Sequence, residues 1–125
     1  MNLDKVIAGF FIIFAMTLNF GFWYGDPLDM NMHSKYELFA AIVVNLIATV
    51  LKLGDKTQMG SVLIATSLVA NLQLIVAASL WTIFSDTQAV EPEIFGIIIS
   101  LSAGALLANI TSVILYVGDT LKSKR

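Results

Sequence analysis

The sequence predicts an all-α membrane protein, a bundle of four transmembrane helices. Three observations lead to this fold class. Of the 125 residues, 58% are hydrophobic and only 13% are charged. The mean hydropathy is +0.85. The charged residues are grouped, so that long stretches between them carry almost no charge. A soluble domain has about 25% charged residues, and this chain therefore lacks the polar surface that a soluble globule needs.

Four stretches are long enough to cross a bilayer, which takes about 20 residues in a helix. We predict spans at about residues 6–24, 36–53, 59–84 and 94–117, within one domain covering 1–125. The apolar runs are continuous and do not alternate with polar residues, which favours helices over the strands of a barrel. The connections are short, and Glu91-Pro92 is typical of a helix start.

The distribution of Lys and Arg predicts the direction of the spans. With both termini in the cytoplasm, six of the seven Lys and Arg residues lie in inner segments and only Lys35 lies outside. Positive charge concentrates on the cytoplasmic side of membrane proteins. We therefore expect a multi-pass membrane protein with the N- and C-termini in the cytoplasm. This count assigns Lys52, at the inner end of span two, and Lys56, in the inner connection, to the cytoplasmic side.

Polar residues inside the predicted spans are the first candidates for function. Each span contains one Asn (Asn19, Asn45, Asn71 and Asn109). An amide in hydrocarbon needs a hydrogen-bonding partner, because an unsatisfied polar group there costs several kcal/mol. Either these residues bond between helices, or they line a polar pathway. The candidates for both interpretations are Asn45, Thr49, Asn71, Gln73, Asn109 and Thr111.

Two helix faces are predicted to be contact surfaces. Small residues spaced by four let helix backbones approach closely, and span four carries such a row: Gly96, Ser100, Gly104, Ala108 and Ser112. Span two has a comparable face: Ala41, Asn45, Ala48, Thr49 and Lys52. Spans two and four also share a pattern in which Asn stands nine residues before Gly-Asp, at Gly54 and at Gly118. This pattern reflects either a duplication or a chance match between apolar sequences, and Gly suits the position past a helix end.

Acidic residues cluster at the predicted outer rim, where they would concentrate cations. They are Asp26, Asp29, Glu37, Asp86, Glu91 and Glu93. Asp29, His33 and Glu37 are four apart, so one helix face could hold all three, and such ligands suit divalent cations. A solvated acidic rim is the simpler interpretation, and we predict no metal site.

The sequence argues against several classes of protein. It has no Cys, no HExxH and no P-loop, and we expect neither an enzyme nor a bound cofactor. The net charge is −2, and the basic residues form no run beyond the tail, so nucleic-acid binding is not expected.

Three segments resemble an uncharacterised family of short, four-span bacterial inner-membrane proteins. They are Leu18-Asn19-Phe20-Gly21-Phe22, the stretch from Tyr36-Glu37-Leu38-Phe39-Ala40-Ala41 through Asn45 to Gly54-Asp55, and Ala65-Thr66-Ser67-Leu68-Val69-Ala70. The resemblance covers most of the chain. It implies a bacterial inner membrane and no established activity, so it assigns no functional residue.

Two functions remain open from the sequence. The first is a channel-like or pore-forming subunit that transports small cations or small neutral solutes. The second is a non-transporting accessory or structural subunit that docks on a larger membrane protein. In both cases the expected surroundings are the lipid bilayer, together with copies of the same chain or a larger membrane-protein partner.

Overall fold

The computed structural model describes residues 3–25, 29, 32–53, 58–85 and 90–123. This part of the chain forms four helices: α1 (Leu3–Trp23), α2 (Lys35–Lys52), α3 (Gln58–Ser85) and α4 (Pro92–Ser123). The all-α prediction with four helical elements is confirmed. Three helices, α1, α3 and α4, are long and apolar enough to cross a membrane. The helix α2 has 18 residues and three charged side chains, Lys35, Glu37 and Lys52.

The helix ends follow local capping chemistry. Ser34 precedes α2, and its Oγ accepts a hydrogen bond from the backbone N–H of Glu37 at 3.4 Å, as an N-cap residue does. Pro92 is the first residue of α4, where its missing N–H costs nothing. The Glu91-Pro92 prediction is therefore confirmed. After α1, Gly25 adopts φ +119°, a left-handed conformation that glycine takes without a Cβ clash.

The helix α4 continues further than the sequence predicts. The predicted span ends at residue 117, with Gly118 as a terminating residue, whereas the helix runs on to Ser123. Gly118 has no neighbour within 4 Å of the place where a Cβ would stand. The prediction that this glycine ends the helix is wrong. Hydrogen bonding within the helix continues beyond the apolar stretch, because polar residues such as Asp119 and Thr120 also fit a helix.

The four helices form a ring in which each packs on the next, and α1 closes the ring against α4. The packing of α3 on α4 is the most extensive. Contacts between the end of one helix and the start of its neighbour show that successive helices are antiparallel. These contacts join Gly21 to Glu37, Lys52 to Ser67, Trp81 to Phe95 and Tyr116 to Lys5. The start of α1 and the end of α4 therefore lie at the same end of the bundle.

The opposite end is closed by aromatic rings, and we call it the aromatic end. Phe22, Trp81 and Phe95 form a buried cluster with ring centroids 5.5–5.9 Å apart for the Trp81 pairs. The ring of His33 joins this cluster, 5.3 Å from Phe95 and 5.8 Å from Phe22. Edge-to-face arrangements of this kind add to the area that the rings bury.

The polar side chains lie inside the bundle, and large apolar side chains lie on its outer surface. Asn19, Asn45 and Asn109 are 0%, 1% and 4% exposed, whereas Leu72 and Leu107 on the outer surface are 65% and 67% exposed. Large apolar side chains cover the outside of every helix. A monomeric soluble protein rarely shows apolar surface on this scale, whereas a bilayer solvates such a surface and leaves the amides to pair inside.

Candidate functional site: the polar core

Three amides from three helices meet at the centre of the bundle, and we call them the amide triad. The side-chain amides of Asn19 in α1 and Asn109 in α4 lie 2.9 Å apart. The Asn109 Nδ2–H donates to Oδ1 of Asn45 in α2 at 2.8 Å. The triad therefore joins neighbouring helices and also links the diagonal pair α2 and α4. The matching positions of Asn45 and Asn109 in the two spans place both amides at one depth.

The fourth helix joins this network one turn away. The Nδ2–H of Asn71 in α3 donates to Oγ1 of Thr49 at 2.9 Å. The hydroxyl of Thr49 donates to the Asn45 backbone carbonyl at 2.8 Å, and the Asn45 Nδ2–H donates to the carbonyl of Ala41 at 2.8 Å. Each of the four helices thus contributes one Asn to a connected polar core.

Lys52 extends the polar core toward the end opposite the aromatic cluster. Its Nζ donates to Ser67 Oγ at 2.5 Å, to Ser112 Oγ at 3.0 Å and to the carbonyl of Leu63 at 3.5 Å. Thr66 Oγ1 lies 2.8 Å from Ser112 Oγ. We call Lys52, Thr66, Ser67 and Ser112 the lysine group. Among the described residues, every partner of the Lys52 ammonium is a hydroxyl or a carbonyl.

The burial of Lys52 is the main feature that the charge count missed. That count assigned Lys52 to the cytoplasmic side at the end of span two, but the side chain is only 6% exposed and lies against α3 and α4. The helical spacing did indicate that Lys52 is buried, because this residue falls on the same predicted contact face of span two as Ala41, Asn45, Ala48 and Thr49. All five residues of that face are buried. A cationic side chain inside a membrane-type bundle marks a candidate functional position by itself.

The other predicted pathway residues divide into two groups. Asn45, Thr49, Asn71 and Asn109 are buried and connected to one another. Thr111 is exposed, and its hydroxyl donates to the Leu107 carbonyl of its own helix at 2.9 Å. Gln73 is half-buried and lies against Gly104, outside the connected core. The structure thus brings together four of the six predicted residues.

The row of small residues on α4 faces away from the bundle at the start of the helix and into the bundle further along. Gly96 has no neighbour within 4 Å of its Cβ position, and Ser100 is exposed. Gly104 lies against the Gln73 amide, whose Nε2 would be 2.6 Å from an added Cβ, while Ser112 is buried in the lysine group. A spacing of four residues exceeds the 3.6 residues of a helical turn, so the row winds around the helix. It is an internal contact face only from Gly104 onward.

The acidic rim is partly described. Glu91 and Glu93 are exposed at the start of α4, and Asp29 and Glu37 are half-buried. Glu37 is turned toward α1, where a Cβ on Gly21 would collide with its carboxylate. Asp26 and Asp86 lie outside the described residues.

Asp29, His33 and Glu37, the three candidate metal ligands, do not form a metal site with one another in the part of the chain that the structure describes. The ring nitrogen Nδ1 of His33 lies 2.6 Å from the Phe22 carbonyl oxygen, so this nitrogen carries the proton and donates. In the described part of the chain, no group of three His, Asp or Glu side chains is arranged to hold a metal ion. The carbonyl of Phe22 belongs to the last turn of α1, where helix carbonyls need outside partners. His33 therefore acts structurally, by fastening the chain before α2 to the end of α1.

Long apolar helices around a core of paired amides, hydroxyls and one lysine define a helical, membrane-compatible protein. The chain belongs to a family of unknown function (DUF6394), which matches residues 32–120. The predicted membership of an uncharacterised family is confirmed. The segment Leu18–Phe22 lies before the matched region. No curated protein and no solved structure matches the chain.

Proposed function

We propose that this chain is a non-transporting membrane subunit that docks on a larger membrane protein. The observation that carries the proposal is the hydrogen bonding of the polar core, whose side chains bond to one another. The amides of Asn19, Asn45 and Asn109 bond to one another, and the lysine group bonds within itself. Side chains paired in this way are not free to replace the hydration shell of a passing solute.

The charge of Lys52 also weighs against the cation pathway that the sequence left open. The ammonium lies in the core with hydroxyl and carbonyl partners only, among the described residues. A positive charge in a medium of low dielectric constant repels a second cation strongly. A single bundle of this kind is therefore a poor route for cations, even with an acidic rim to attract them.

The proposal includes the membrane topology. We propose that α2 is a fourth span and that both chain ends face the cytoplasm of a bacterial inner membrane. Lys35 and Glu37 stand in the first turn of α2 and Lys52 in its last, so the uncharged interior of this helix is short. Lys52 is hidden from lipid by α3 and α4, which removes the main obstacle to insertion. Lys5 and Lys122 are exposed at the same end of the bundle, as the positive-inside rule requires.

Ion flux and partner capture together test the proposed role. The full-length protein is reconstituted in liposomes, and fluxes of potassium, chloride and glycerol are measured against empty liposomes. In parallel, the tagged protein is purified from its native membrane in mild detergent. We expect no flux above the empty liposomes and co-purification with one larger membrane protein at a fixed ratio. Flux from the protein alone would contradict the proposal.

A pore remains the second candidate, because of three buried oxygens. Oδ1 of Asn71, Oε1 of Gln73 and Oγ of Ser102 have no hydrogen-bond partner among the described residues. Such groups are costly in a dry core, so their presence favours water in the bundle. Flux that is abolished by Asn45→Leu, with assembly unchanged, would support this function over the first.

A further inference from the structure

Two depressions lie next to each other between α2 and α3 on the outside of the bundle. The deeper one has a volume of about 420 Å³, and the one nearest the aromatic end about 390 Å³. They share Phe39 and Thr82 and therefore adjoin, and we call them together the α2–α3 groove. The deeper part is lined by Phe39, Ile42, Ile75, Ala78, Ser79, Thr82 and Ile83. The other part is lined by Lys35, Tyr36, Phe39, Trp81, Thr82 and Ser85.

The polarity of this groove changes along its length. Lys35 is the first residue of α2 and Ser85 the last of α3, so both stand at the level where a bilayer has its headgroups. Ile42 lies seven residues further along α2, about 10 Å deeper at 1.5 Å per residue. The groove thus begins at a cation and aromatic rings and continues among apolar side chains. A lipid with an anionic headgroup and an acyl chain matches this arrangement, because its charged group would lie at the cation and its apolar chain among the apolar side chains.

The charge of Lys35 is available to such a head. The side chain is exposed, and its Nζ lies 5.6 Å from the centroid of the Tyr36 ring. The carboxylate of Glu37, two residues on, points to Gly21 on the α1 side and away from this groove. Lysine stems near helix ends extend along the apolar surface and place the ammonium at the interface.

A second groove on the other side of the bundle provides a comparison. It lies between α1 and α4, has a volume of about 320 Å³ and is lined by Met16, Thr17, Phe20, Leu106 and Ile110. This lining carries no charged residue. The groove fits an acyl chain but offers nothing that distinguishes one headgroup from another.

We propose that the α2–α3 groove binds one anionic phospholipid, with its phosphate at Lys35 and an acyl chain between α2 and α3. The site requires only that the bundle lies in a membrane, and it does not depend on whether the protein transports or docks. Binding at this position would fix the first turn of α2 at the headgroup level. It would also stabilise the contact between the shortest helix and α3.

Native mass spectrometry of the full-length protein in mild detergent tests the site. The protein is titrated with phosphatidylglycerol or with phosphatidylcholine of the same acyl chains, and the affinity of the first bound lipid is measured. We expect phosphatidylglycerol to bind about fivefold more tightly, since one lysine near an anionic surface contributes about 1 kcal/mol. Lys35→Gln should remove this preference and leave phosphatidylcholine binding unchanged. Lys122→Gln, at the other end of the bundle, should retain it.

A groove-filling pair completes the test. Thr82→Trp places a large ring where the two parts of the α2–α3 groove meet, and it should weaken the first binding event for both lipids. Thr17→Trp fills the α1–α4 groove in the same way, and it should leave the preference for phosphatidylglycerol over phosphatidylcholine unchanged. Equal affinity for the two lipids in the unmodified protein would overturn the proposal. So would a preference that survives Lys35→Gln. Flux and partner capture do not enter this experiment, so its failure would leave the proposed function standing.

Discussion

Asn109 connects more helices than any other side chain of the amide triad. It lies 2.9 Å from the Asn19 amide and donates to Asn45 at 2.8 Å, so α1, α2 and α4 all depend on it. Hydrogen bonds between membrane helices average about 0.6 kcal/mol where they have been measured. A buried amide that loses its partner costs more, about 1–3 kcal/mol.

Asn109→Leu should lower the free energy of unfolding by about 2 kcal/mol, because it leaves the amides of Asn19 and Asn45 without this partner. Unfolding by dodecyl sulfate in mixed micelles measures the change. Thr111→Val is the matched control on the same helix, since this exposed hydroxyl bonds only within α4. It should stay within about 0.5 kcal/mol of the unmodified protein. Equal effects of the two substitutions would show that the triad does not hold the bundle together.

Lys52→Met should leave the free energy of unfolding about unchanged, because the cost of burying the charge and its hydrogen bonds are lost together. Replacing a buried charge by an apolar side chain of similar volume removes a desolvation penalty. Ser67→Ala should lower the free energy of unfolding, since it removes the 2.5 Å acceptor of a charge that stays in place. Both are measured by the same unfolding assay, with Lys122→Met as an exposed control.

A large loss of stability in Lys52→Met would mean that the ammonium holds α2 to α3 and α4. Retained stability together with lost partner capture would mean that the charge serves function.

At the scale of elements, α4 shows how far spacing alone predicts contacts. The small-residue row was predicted as one face, but only its second half packs inside the bundle. The face of α2 was predicted more successfully, because its positions follow the seven-residue repeat that keeps to one side of a helix. Lys52 belongs to that repeat, although the charge count treated it as a residue facing the cytoplasm. Which helices lie diagonally depends on the ring of contacts, and no local pattern in one chain contains this information.

Gly96→Ala should therefore stabilise the protein more than Gly104→Ala does. A Cβ at Gly96 meets open space, and alanine stabilises a helix over glycine by about 0.5–1 kcal/mol. A Cβ at Gly104 would lie 2.6 Å from Nε2 of Gln73, so the flexible end of that side chain has to move aside, which offsets the gain from alanine. The unfolding assay on the isolated protein compares the two. Destabilisation by both substitutions would place Gly96 in a contact as well.

At the scale of the whole molecule, the chain turns its polar groups inward and its apolar groups outward. This distribution is compatible with a bilayer as the solvent of the fold, as the composition and the long uncharged stretches of the sequence predict. Composition did not predict that the core amides bond to one another across three helices. The sequence left both a hydrogen-bonded core and a polar pathway open, because both need Asn at the same depth.

The absence of cysteine from the sequence permits a direct test of the closed core. A single cysteine replaces Ala48, which is buried beside the amide triad, and the protein is exposed in membranes to a charged, water-soluble thiol reagent. A cysteine at Ser34, exposed before α2, provides the reference rate, and denaturation afterwards confirms that both thiols are intact. We expect the Ala48→Cys thiol to react far more slowly than the Ser34→Cys thiol until the protein is unfolded. Comparable rates in the folded protein would reveal a water-filled path through the bundle and contradict the account.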